Sequence, residues 1–117
     1  MTLERQLKDL RVRHGVIGAA LVGRAGAVIA ADMPEKVSRE TFGVMCATIL
    51  GAGTTASNEL QAQPPNRVIL ESADARIIMF EAGRRAILVV VTPPSLDEGR
   101  IASDVKSIIE EARKQSA

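Results

Sequence analysis

Hydrophobic and polar positions along this chain follow two rhythms, and each change of rhythm marks an element. Leu3, Leu7 and Leu10 recur at helical spacing with charges between them, and Thr2 stands in front as an N-cap. Residues 2–13 therefore read as a short amphipathic helix that Gly15 stops. Val16 to Val22 is apolar at consecutive positions, the pattern of a strand covered on both faces. Gly23-Arg24-Ala25-Gly26 supplies a turn, and Ala27 to Ala31 returns as the second arm of a hairpin. Ser38 is placed to cap a long helix that ends by residues 61–63, because Pro64-Pro65 forbids continuation. Three strands follow: Arg67 to Glu71, Arg76 to Glu81, and Ala86 to Val91, the last apolar on both faces. Ser95 and Glu98 then have capping-box spacing before Ile101, Ala102, Val105, Ile108, Ile109 and Ala112, a final amphipathic helix.

The order is α-β-β-α-β-β-β-α. Because the first and last strands need cover on both faces, they belong in the middle of the sheet with helices on each side. This predicts an α/β (α+β) three-layer sandwich on a five-stranded, mostly antiparallel sheet, with residues 1–117 as one domain. The first and third helices share one face and the middle helix takes the other. Edge positions fall to Ala27–Ala31 and Arg67–Glu71.

The middle helix departs from the usual pattern. From Thr41 to Asn58 it carries no charge. Its wheel puts Phe42, Met45, Cys46, Ile49, Gly53, Ala56 and Leu60 in one stripe, expected to bury against the sheet. A second line holds small residues, Gly43, Ala47, Gly51, Thr54 and Asn58, which a single buried face would not need. A second protein surface is expected there. Val44, Thr48, Thr55 and Glu59 point away from both lines.

Composition narrows the function. At 117 residues the chain can bury roughly two thirds of its unfolded surface without a staple. With Phe42 and Phe80 as the only aromatics, its core is aliphatic. A net charge of +1, with basic residues scattered among acidic ones, argues against nucleic acid. The charge-free stretch is at the short limit for a membrane span and too polar for one. One cysteine and a charged, helical N-terminus indicate a cytoplasmic chain. One Cys and one His cannot make a metal set, and His14 has no sign of a nucleophile beside it. Gly51-Ala52-Gly53-Thr54-Thr55 lacks the lysine of a phosphate loop and lies within a helical pattern. Neither catalysis nor a cofactor is expected. Arg84 and Arg85 read as a solvated turn rather than an arginine finger.

Gly15-Val-Ile-Gly-Ala-Ala-Leu-Val-Gly-Arg-Ala-Gly26-Ala-Val-Ile-Ala, the small-residue helix, Arg67-Val-Ile-Leu-Glu, and Ala86-Ile-Leu-Val-Val-Val-Thr-Pro leading into Leu96 form an ordered set. In that order they resemble the roadblock and dynein-light-chain domain family, including bacterial and archaeal members that partner small Ras-like GTPases. The resemblance covers nearly the whole chain. It implies a profilin-like roadblock fold and a dimer, with itself or with a paralogous roadblock protein. In such a dimer two middle helices pack together and two third strands pair across the axis. The implied dimer interface comprises Gly43, Ala47, Leu50, Gly51, Thr54, Asn58, Arg67, Val68, Ile69 and Leu70. The GTPase would face Val44, Thr48, Thr55 and Glu59. The expected role is regulation of a small GTPase without chemistry of the chain's own. The alternatives are a scaffold subunit that leaves hydrolysis unchanged, and a small-ligand sensor.

Overall fold

Helix α1 (Leu3–His14) starts where the Thr2 hydroxyl accepts from the Arg5 amide at 3.1 Å. It ends at Gly15, whose φ of 77° lets its N–H return to the Arg11 carbonyl. Strands β1 (Gly18–Gly23) and β2 (Val28–Asp32) form the first hairpin, and Gly26 turns it with a φ of 102°. Ser38 caps α2 (Arg39–Glu59) by accepting from the Thr41 amide at 3.2 Å. Strands β3 (Arg67–Glu71), β4 (Arg76–Glu81) and β5 (Ala86–Thr92) precede α3 (Ala102–Gln115). The structure, a computed structural model, describes residues 2–115.

The sheet runs β2-β1-β5-β4-β3, and every neighbouring pair is antiparallel. As the apolar runs require, β1 and β5 are central, and every residue of β5 is buried. Alternate side chains divide the core into two layers. Ala19, Leu21, Leu88 and Val90 meet α1 and α3 through Leu7, Leu10, Val105 and Ile108, together with Ile101 just ahead of α3. Ala20, Val22, Ile87 and Val89 meet α2 through Cys46 and Leu50. The three layers, the central strands and both edge strands agree with the sequence pattern.

One local expectation fails. The Ser95–Glu98 capping box does not form. Pro93 and Pro94 lead the chain into a turn in which the Leu96 amide donates to the Pro93 carbonyl at 3.2 Å. Asp97 takes over the capping role, accepting from the Gly99 amide at 3.0 Å at the start of a 3-10 turn, Glu98–Arg100. Helix α2 ends at Glu59, within the limit set by residues 61–63, where Gln61 adopts a φ of 55° and the Ala62 amide closes on the Ser57 carbonyl.

Candidate interaction surface

Helix α2 lies on the sheet by its small residues. A Cβ on Gly43 would sit 2.6 Å from the Gly26 carbonyl oxygen and 3.1 Å from Val28 Cγ2, so the glycine lets the helix touch the first hairpin. Gly43, Cys46 and Leu50 are the buried line, and Ala47 packs partly against the same core. This corrects the expected rotation of the helix. Gly43 and Leu50 belong to the monomer interior, Leu50 being 1% exposed, and neither is available to a partner. Met45 and Leu60, expected inside, are 51% and 80% exposed, and Ala56 is exposed as well. Phe42, Cys46 and Ile49 of the expected stripe do pack on the core, and Leu60 lies just past the end of the helix. The reason for the shift at Gly43, Met45 and Leu50 is low contrast: a helix without charges has no polar side to mark its outside, and the close approach at Gly43 set its rotation.

The outward side keeps the rest of the expected surface. Gly51 is exposed, and a Cβ there would meet nothing within 4 Å. Asn58, Thr48, Thr55 and Glu59 are exposed, and Val44 is 39% exposed. Thr54 is half-buried and donates its hydroxyl to the Leu50 carbonyl at 3.0 Å. Thr48 does the same to the Val44 carbonyl at 2.8 Å. These two hydroxyls are satisfied inside the helix, so a partner docking over them would not have to strip them of water. Val44 and Met45 widen the apolar area, an extension that the wheel concealed by placing Met45 inward.

The β3 edge lies beside this helix. A Cβ on Gly53 would be 3.7 Å from Val68 Cγ2, so the C-terminal half of α2 overlies the strand. Val68 and Ile69 are half-buried, Arg67 is exposed, and Leu70 is 38% exposed. The Glu81 amide donates to the Asn66 carbonyl at 3.0 Å and the Ser72 amide to the Ala75 carbonyl at 2.9 Å. Because antiparallel residues alternate in bonding, Val68 and Leu70 turn their backbone groups to β4. Arg67, Ile69 and Glu71 turn theirs to the open edge.

The chemically reactive groups are kept apart. Cys46 lies in the α2 layer, whereas His14 lies on the other side of the sheet with Nε2 2.7 Å from Asp104 Oδ2. The two cannot form a nucleophile–base pair. Burial pushes the Cys46 thiol up to about 11. The folded chain is therefore expected to resist a thiol reagent at pH 8, with labelling slowed about a hundredfold or more relative to the chain in denaturant. Labelling at equal rates would place Cys46 outside the core. Arg84 and Arg85 are exposed at the β4–β5 turn, where Arg24 Nε donates to the Arg84 carbonyl at 3.0 Å. A cleft of about 470 Å³ lies under α3, lined by Phe80, Ile101, Val105 and Ile109, with Arg67 and Glu98 at its rim. Among the described residues no helix is long and apolar enough to cross a membrane.

A model for the Roadblock/LC7 domain matches residues 2–92. The chain belongs to the Roadblock/LC7 family. The uncharacterized protein MJ0714 of Methanocaldococcus jannaschii is 32% identical over 104 residues, 89% of this chain and 87% of the relative. Among solved structures, Myxococcus xanthus MglB superposes with a TM-score of 0.87 at 17% identity, over 96% of this chain and 92% of that one. A Roadblock/LC7 domain from Streptomyces avermitilis gives 0.87 at 16% identity, over 98% of each chain. The roadblock fold therefore holds for the chain, including α3, which lies beyond the segment that the family model matches.

Proposed function

We propose that this roadblock chain is a non-catalytic dimeric binding module that regulates a small Ras-like GTPase. The supporting observation is the outer side of α2, free of charge from Thr41 to Asn58 yet exposing Val44, Met45, Thr48 and Thr55. An uncharged, partly apolar surface beside an open strand edge has the character of a protein contact. The GTPase as partner comes from the family resemblance. Gly51, Asn58 and the β3 edge face the second copy, with Ala47 and Thr54 at the border of the core. Val44, Thr48, Thr55 and Glu59 face the GTPase.

The test is GTP turnover by a Ras-like GTPase from the same genome, with and without this chain, together with titration of Thr48→Glu. A carboxylate in the middle of the surface must lose its water on docking, so binding should weaken about tenfold or more. Undiminished binding would remove Thr48 from the contact. Binding without altered turnover would favour a scaffold, and no binding would sink the GTPase reading.

A further inference from the structure

We propose that the cleft between α3 and the β3–β4 half of the sheet is a binding site for a small amphipathic carboxylate, with its apolar body against Phe80, Val105 and Ile109 and its head group on Arg67 and Lys106. The cleft lies on the opposite side of the sheet from α2. Its test is therefore independent of the GTPase reading.

The cleft follows from a mismatch in cover. Strands are spaced about 4.8 Å apart and packed helices about 8–10 Å, so two helices cover roughly four strands of a sheet. On this side α1 lies against β1 and β2, and α3 lies against α1 and β5. The strip over β4 and β3 is left short of cover. Phe80 in β4 is half-buried, whereas Leu88, opposite it in β5, is fully buried. Helix α3 turns a second apolar line toward this strip. Val105, Ile108 and Ala112 are its buried residues, but Ala102, Val105 and Ile109, spaced three and four apart, line the cleft. The space between is about 470 Å³. Small-ligand sites span roughly 300–1,000 Å³ and combine an apolar lining with a few charged groups, as this one does.

Two ion pairs run from the sheet to the α3 segment and frame the cleft. Arg67 of β3 holds Glu98 ahead of the helix, and Glu81 of β4 accepts from Arg113 in its last turn at 2.8 Å. Charge then selects the head group. Arg67 gives Nη1 to Glu98 and, among the described residues, keeps Nε and Nη2, the fork that takes a carboxylate in two bonds. Lys106 lines the cleft and makes no ion pair among the described residues. The other acid of the lining, Glu110, stands one turn beyond Lys106 on α3. Two cationic groups with donors to spare thus face one carboxylate, and an anionic head satisfies both.

The experiment is calorimetric titration of the full chain with octanoate, beside octanol and octyltrimethylammonium as uncharged and cationic probes of equal chain length. Octanoate is expected to bind with a dissociation constant below about 1 mM and about tenfold more tightly than either analogue. Ala102→Phe puts a ring into the cleft from an exposed position and should weaken octanoate about tenfold or more. Lys106→Glu, also at an exposed position, should weaken it about fivefold or more. No octanoate binding by the wild type would overturn the proposal, and undiminished binding by Ala102→Phe would place the ligand elsewhere. An analogue bound as tightly as octanoate, or undiminished binding by Lys106→Glu, would overturn the head-group assignment. Methyl resonances of the wild type supply a readout that needs no substitution. Those of Val105 and Ile109 should move on titration while those of Val44, on α2, stay in place, and the reverse pattern would put the ligand on the other side of the sheet.

Discussion

Gly51→Arg is expected to leave a folded monomer. Light scattering should give twice the 12.5 kDa chain mass for the wild type and the single chain mass for the variant, with unchanged circular dichroism. The substitution isolates the contact between copies because a side chain at this position meets nothing within 4 Å in its own chain. Two arginines facing each other across a two-fold axis bring like charges into a surface with no acid nearby on α2. A guanidinium also prevents the close backbone approach that glycine allows. The loss should exceed a hundredfold in association. A variant that remains dimeric would separate α2 from the interface. Ala47→Arg is a poorer test, because Ala47 packs against the core and its replacement would disturb the monomer as well.

Gly43→Ala should lower stability by about 2–3 kcal/mol, although alanine within a helix ordinarily gains about 1 kcal/mol over glycine. The added Cβ would stand 2.6 Å from the Gly26 carbonyl oxygen, a backbone atom that cannot rotate away. Relief requires α2 to lift from the hairpin, which loosens Cys46 and Leu50 behind it. Thermal unfolding should move down by roughly 10 °C. A variant as stable as the wild type, or more so, would show that helix and hairpin are not in close contact.

How much of this could be read from the sequence depends on contrast. Apolar runs at Val16–Val22 and Ala86–Val91 and charge-flanked stretches such as Arg67–Glu71 have strong signals, and they located the central and edge strands. Helices α1 and α3 have charged outer sides, so their buried residues were legible as well: Leu3, Leu7 and Leu10, and Val105, Ile108 and Ala112. Helix α2 has no charged side. Its rotation was decided by one close approach between Gly43 and Gly26, residues in different elements whose meeting no local pattern records. That contact places Gly43 and Leu50 in the core rather than at the expected interface and leaves Met45 outside, whereas Leu60 is exposed because α2 ends at Glu59. Ser95 was misread for a related reason: the spacing of a capping box was present, but Pro93-Pro94 had already committed the chain to a turn. The edge alternation that selects Arg67, Ile69 and Glu71 emerges only once strand pairing is known.

The bulge at Ile29 has a consequence for assembly size. A sheet that can be extended at both edges adds copies without limit and grows into a fibre. Here one edge is interrupted by Ile29, an extra residue in β2 between the Leu21–Ala30 and Val22–Val28 pairs. In the proposed dimer the other edge is consumed, so no open edge with regular pairing would remain and growth would end after a single event. On that reading the irregularity in β2 makes a closed pair the terminal product, and a high local concentration of the chain would add pairs without lengthening them.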